Sequence, residues 1–180
     1  MMLRFILVLG LLCFTNPNTD EVMSWKGSHK LTWADFQGKA PQSTDAAALT
    51  ASGITFSYSL RTTNGKITSV TPKVEAHFYP KQSWVVKDKA SPYILAHEQL
   101  HFDITELHVR KLRYRIDQLR ITPNVKRDLD QLHQGVKREM SDMQNAYDSQ
   151  SKNSINKEEQ AKWNSYVAEQ LKKYEAFKSK

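Results

Sequence analysis

The residues best suited to chemistry in this sequence are His97-Glu98-Gln99-Leu100-His101, which have the pattern H-E-x-x-H. In a helix, side chains four residues apart differ in direction by about 40°, so both imidazoles can reach one Zn²⁺. Glu98 points about 100° away from His97 and flanks the metal without binding it. A carboxylate there can take a proton from water and pass it to a leaving amine. The pattern predicts a zinc-dependent hydrolase with Glu98 as its general base.

A catalytic zinc usually has three protein ligands, so the motif needs one more. His108 lies about 10.5 Å further along the helix than the second motif histidine, too far to reach the same metal. Glu106 is turned about 140° from that histidine and is better placed to orient a ligand or a neighbouring helix, as is Asp103. The ligand must then come from a later segment. Tyr147-Asp148 is the best-placed pair, with Asp148 as the ligand and the tyrosine as a hydrogen-bond donor to the oxyanion.

The first half of the chain is predicted to contain strands. Apolar residues alternate with polar ones between positions 54 and 60, which is the period of a half-buried strand. Asn64-Gly65 indicates a type I′ hairpin turn. A second strand should place three apolar residues on one face and end at Pro80; these are Val74, Ala76 and Phe78.

The second half is predicted to form three helices. Ser91-Pro92 and Thr122-Pro123 each combine a capping residue with a proline in the first helical position. Asn156 and Glu159 have the spacing of a capping box for the last helix. The fold class is therefore α+β, with an antiparallel hairpin or small sheet followed by the helix that carries the motif and two further long helices.

The first nineteen residues have the pattern of a secretory signal peptide. Ten apolar residues, Phe5–Phe14, follow Arg4 and precede a polar stretch. A membrane-spanning helix needs about 20 such residues. Leu12 stands before Cys13, where a lipoprotein signal requires a small residue, so lipid anchoring is disfavoured. We expect a signal peptide over 1–19, one domain over 20–180, and a secreted or periplasmic protein that binds no nucleic acid.

The charge of the chain leaves a second function open. Its 180 residues carry a formal net charge of +7, and its single cysteine excludes a disulfide framework. The basic residues between Arg110 and Arg115 are predicted to form a solvated face. Such helices could bind anionic surfaces weakly. The alternative to an enzyme is therefore a non-catalytic module of the cell envelope, which binds through its basic helices and has a weakened or vestigial zinc site.

Several blocks resemble a bacterial family formerly catalogued as a domain of unknown function and now described as secreted zinc-dependent proteases. The longest block is His97–Glu106, and the others include Leu31–Gly38, Tyr147-Asp148 and Gln160–Trp163. The resemblance implies a zincin-like fold and a peptide or protein substrate, with zinc on both motif histidines. Relatives carry Thr-x-His where this sequence has Ser151-Lys152-Asn153. The third ligand therefore stays open between Asp148, Glu106, Asn153 and another residue.

Overall fold

The structure is a computed structural model that describes residues 22–180. The expected signal peptide, residues 1–19, lies outside the described residues. None of the helices in the described part has both the length and the apolar character needed to cross a membrane.

A long antiparallel hairpin dominates the β structure. Its strands are β3 (Ser52–Thr63) and β4 (Lys66–Phe78), and the short strand β1 (Met23–Ser24) pairs with the end of β4. The turn residues Asn64 and Gly65 both have positive φ, 51° and 75°. A type I′ turn requires this conformation at both of its central residues, so the predicted hairpin is confirmed. Two further short strands, β2 (Ala48–Leu49) and β5 (Trp84–Val85), form a separate antiparallel pair.

The hairpin packs its apolar face against the helices. The three residues predicted to share the inner face of the second strand are buried: Val74, Ala76 and Phe78. They join a core cluster that also includes residues of the first and second helices, such as Phe102, Val109 and Leu129. The expected α+β architecture of a small antiparallel sheet followed by three long helices is confirmed.

The three helices are α1 (Pro92–Asp117), α2 (Val125–Ser151) and α3 (Lys157–Lys173). α1 begins as predicted, because the Ser91 side chain accepts a hydrogen bond from the Ile94 amide. α2 begins two residues later than predicted. The Thr122 hydroxyl accepts a hydrogen bond from the Asn124 amide at 3.1 Å and closes a local turn, so the helix starts only after that turn.

The start of α3 is confirmed in part. The Asn156 side chain accepts a hydrogen bond from the Glu159 amide at 3.2 Å, which is one half of the predicted capping box. The Glu159 carboxylate is paired with Lys162 at 2.7 Å. The cap therefore depends on the asparagine, and the glutamate adds an ion pair within the first turns of the helix.

The prediction of a solvated basic face is wrong for part of α1. Arg110 is 1% exposed and forms an ion pair of 2.8 Å with Glu106, which is fully buried. The guanidinium also lies over the ring of Trp25, 5.3 Å from its centroid. Glu106 accepts further hydrogen bonds from the amide and hydroxyl of Ser179, so the chain end is held on the same helix. The basic residues of α1 are predicted to be exposed because the sequence does not reveal that Trp25 and the segment near Ser179 pack over them.

Candidate metal centre

Three potential metal ligands converge where α1 meets α2. His97 and His101 lie one turn apart on α1, and their Nε2 atoms are 3.2 Å apart. Asp148, in the last turn of α2, places Oδ1 3.2 Å from His97 Nε2 and 2.9 Å from His101 Nε2. Within residues 22–180 these three side chains form a group that could hold a metal ion. The structure thus brings the motif histidines and the predicted third ligand together.

The spacing and chemistry of this donor set fit zinc. Bonds of about 2.0–2.1 Å in tetrahedral directions place donor atoms about 3.3 Å apart. The three separations in this structure, 3.2, 3.2 and 2.9 Å, are close to that value. Two imidazoles and one carboxylate are a ligand set that suits a catalytic zinc.

The outer nitrogens of both imidazoles are hydrogen-bonded to glutamine side chains. His97 Nδ1 lies 2.8 Å from Oε1 of Gln160 on α3, and His101 Nδ1 contacts Oε1 of Gln144 on α2. The Gln144 amide nitrogen also donates to the His101 carbonyl at 2.8 Å. Because a carbonyl can only accept, this second bond fixes the orientation of the amide. His101 Nδ1 therefore carries a hydrogen, so in the neutral form of the ring it is Nε2 that has the lone pair for a metal.

Such a partner on the outer nitrogen is the usual arrangement for metal-binding histidines. The sequence reasoning did not identify either glutamine. Gln144 could have been found, because it precedes Asp148 by four residues and so shares a helix face with it. Gln160 lies in one of the blocks on which the family resemblance rests, but its spacing indicates no chemistry.

The electrostatics of the centre favour a bound cation. Burial alone would raise the pKa of Asp148, but its hydrogen bonds to His101 and His97 hold that pKa well below the usual range. Burial alone would lower the pKa of His101, but the hydrogen bond and charge of Asp148 raise it above its ordinary value. The carboxylate is therefore ionised at neutral pH and attracts positive charge to the point where the imidazole nitrogens meet.

Tyr147 packs against the centre and is fully buried. Its ring stacks on His97 with centroids 4.5 Å apart and contacts the ring of His101 at 4.9 Å. Its hydroxyl donates to the His97 carbonyl at 3.3 Å. The structure thus contradicts the predicted hydrogen bond to an oxyanion, because this hydroxyl is already used inside the helix packing. The tyrosine instead holds the imidazoles in place.

The centre opens into a cleft of about 780 Å³. Its lining includes segment 45–50, His97, Glu98 and His101 of α1, and Asp148. The Thr50 hydroxyl donates to the Glu98 carbonyl at 3.1 Å, which fixes the segment containing β2 over the start of α1. Glu98 is 5% exposed and lines this cleft beside the three donors. The predicted general base and the predicted ligands therefore face the same space.

The acidic and histidine residues that follow the motif on α1 have partners outside the three-donor group. Glu106 is paired with Arg110, and Asp103 accepts hydrogen bonds from Trp25 and Lys30. His108 Nδ1 bonds to the Ile104 carbonyl at 2.8 Å, and burial lowers its pKa to about 4.

Asn153, the other candidate that the sequence leaves open, lines the same cleft as the three donors. The backbone amide of Asn153 donates to the Asp148 carbonyl at 2.9 Å and so supports the turn that carries the candidate ligand.

Comparison with known proteins identifies the family. The family described as "Bacterial protein of unknown function (DUF922)" matches residues 28–156, which is well over half of the chain. The chain therefore belongs to this family. It matches no curated protein and no solved structure at a significant level.

Proposed function

We propose that this member of the DUF922 family is an exported zinc-dependent peptidase, with His97, His101 and Asp148 as metal ligands and Glu98 as general base. The observation that carries the proposal is the convergence of the three donors at the wall of an open cleft that Glu98 also lines. The sequence pattern over residues 1–19 supports export.

The number of donors favours catalysis over a structural role. Structural zinc sites have four protein ligands, whereas catalytic sites keep one position for water or substrate. Among the His, Cys, Asp and Glu side chains of residues 22–180, the group that could hold the metal has three members. The side chain of Asp148 is 40% exposed and faces the cleft, so a ligand from solution has access to this side of the centre.

Each residue has a distinct part in peptide hydrolysis. When bound, zinc polarises the scissile carbonyl and makes a nearby water more acidic. Glu98 accepts the proton of the attacking water and delivers it to the amine as the C–N bond breaks. Gln144 and Gln160 keep the Nε2 lone pairs of the two histidines directed at the metal. A small antiparallel sheet beside a helix with an H-E-x-x-H motif agrees with a zincin-like fold.

The first experiment is to measure zinc per chain by elemental analysis. Protein dialysed without a chelator is compared with the double variant His97→Ala/His101→Ala. We expect about one zinc per chain in the wild type and none in the variant. If neither binds zinc even with excess metal, the proposal is wrong, and the non-catalytic envelope module becomes the better hypothesis.

The second experiment separates catalysis from metal binding. Glu98→Gln should retain zinc and lose hydrolysis of unfolded casein, because the amide cannot accept the proton. Glu169→Gln, an exposed glutamate of α3 outside the cleft, serves as the matched control and should keep full activity. Equal activity of Glu98→Gln and the wild type would show that Glu98 is not the base.

A further inference from the structure

Two large apolar side chains are exposed in the same cleft as the three donors. Ile155, between α2 and α3, is 79% exposed, and Leu49 of β2 is 43% exposed. Ile155 is the most exposed large apolar side chain among residues 22–180. Exposed apolar side chains scattered singly over a surface need no explanation, but two in the cleft that the three donors also line indicate a binding surface.

The backbone holds Ile155 in this exposed position. The three preceding residues, Lys152–Ser154, all have positive φ (51°, 49° and 74°), although none is a glycine. The amide of Ile155 donates to the Lys152 carbonyl at 3.2 Å, and the next residue, Asn156, caps α3. A left-handed backbone is unfavourable for such residues and persists where the surrounding structure requires it. The turn therefore keeps two unfavourable features: a left-handed backbone at three non-glycine residues and an apolar side chain exposed to water.

Leu49 is held on the cleft from a different element. β2 pairs with β5 in a register that places Leu49 opposite Trp84, which is buried. The lining of the same cleft also includes the half-buried apolar side chains of Ile94 and Met140. The cleft thus combines an apolar lining with the polar centre made by the donors and Glu98.

We infer that the cleft selects peptides with bulky apolar side chains near the scissile bond, and that Leu49 and Ile155 contribute to the apolar surface that binds them. The inference rests on the proposed function, because that function is what places the scissile bond at the three donors. The three donors, Leu49 and Ile155 line one cleft, so a peptide bound with its carbonyl at the donors would share that cleft with both apolar side chains. Covering Leu49 and Ile155 removes their apolar surface from water, and this burial favours a leucine-like side chain over a serine-like one.

The test measures binding without requiring hydrolysis. Fluorescein-labelled octapeptides with two central leucines, or with two central serines, are titrated with Glu98→Gln protein and followed by fluorescence anisotropy. We expect the leucine peptide to bind at least about ten-fold more tightly, the discrimination typical of an apolar pocket. Adding Leu49→Ser or Ile155→Ser should remove most of this preference. Ile121→Ser is the matched control, because Ile121 is 44% exposed and lies outside the cleft.

The outcomes distinguish this inference from the proposed function. Equal affinity for both peptides, no binding of either, or an unchanged preference in Ile155→Ser would overturn the inference, whatever the hydrolysis assay gives. A ten-fold preference that Leu49→Ser and Ile155→Ser abolish would support it, even if the wild type hydrolyses nothing. If wild-type protein cleaves casein, mass spectrometry of the products should show Leu, Ile, Phe or Met beside the cleaved bonds, and cleavage beside polar residues alone would contradict the inference.

Discussion

Replacing Gln144 by leucine tests how the structure prepares His101 for metal. The change keeps the approximate size of the side chain and removes both of its hydrogen bonds to His101, one to Nδ1 and one to the carbonyl. His101 Nδ1 then has no acceptor to fix its hydrogen, so the neutral ring can place that hydrogen on Nε2 instead. In that form the ring cannot bind a metal through Nε2.

The size of the effect follows from the burial of the site. The side chain of His101 is only 13% exposed, so water replaces the lost partner poorly. Removing such a partner of a metal-binding histidine typically weakens metal affinity about 10–100-fold. At about 1.36 kcal/mol for each factor of ten, this is roughly 1.4–2.7 kcal/mol of binding free energy.

The assay is competition for zinc against a chromogenic chelator, with the metal-free stability measured in parallel by urea unfolding. Gln134→Leu is the control, because Gln134 is an exposed glutamine on the same helix. A zinc Kd for Gln144→Leu equal to that of the wild type would refute the reasoning. A loss of metal-free stability with unchanged zinc affinity would mean that Gln144 only joins α2 to α1.

Three further perturbations have expected outcomes. Chelation of a metal present at about 100 times its Kd should remove about 2.7 kcal/mol of stability and lower the Tm by about 5–11 °C, with no effect on the variant His97→Ala/His101→Ala. Arg110→Met should lower the free energy of unfolding, measured in urea, by about 3–5 kcal/mol, because it leaves Glu106 charged and buried. Adding Glu106→Gln should recover part of this loss. A loss below about 1 kcal/mol in Arg110→Met would contradict the account. Burial lowers the pKa of His108 to about 4, compared with about 6.5 in the unfolded chain. The neutral, buried His108 therefore contributes fully to the free energy of unfolding above pH 6.5, and this contribution is lost as the pH falls to 4. Stability should therefore drop by about 2–4 kcal/mol between pH 7 and pH 4 from this group, and His108→Gln should flatten the profile.

The features that could be predicted from the sequence depend on neighbours in the chain. The Asn64-Gly65 turn, the buried face of β4 and the start of α1 at Pro92 each follow from a few adjacent residues. The convergence of His97 and His101 follows from helix geometry alone. Asp148 was the expected partner because it lies near the end of the next helix, and the structure places its carboxylate beside both imidazoles.

The features that could not be predicted depend on residues distant in the sequence. Arg110 looked solvent-exposed because Trp25 and the segment ending near Ser179 cover it only in the folded chain. The start of α2 was misjudged because the Thr122 hydroxyl bonds within a turn, and Thr-Pro gives no signal that separates this turn from a helix cap. The partner of His97 is 63 residues away and that of His101 is 43 residues away.

The same long-range contacts make the metal centre a product of helix packing. Two of the candidate ligands come from α1 and the third from α2, while the supporting glutamines come from α2 and α3. Tyr147 fills the space between these helices and belongs to a buried cluster with Leu100, Ile104 and Val167. A ligand that binds only this arrangement stabilises the packed helices by its binding free energy. If the proposed site binds zinc, its affinity should be coupled to the docking of α3, because Gln160 orients His97 only when α3 is in place.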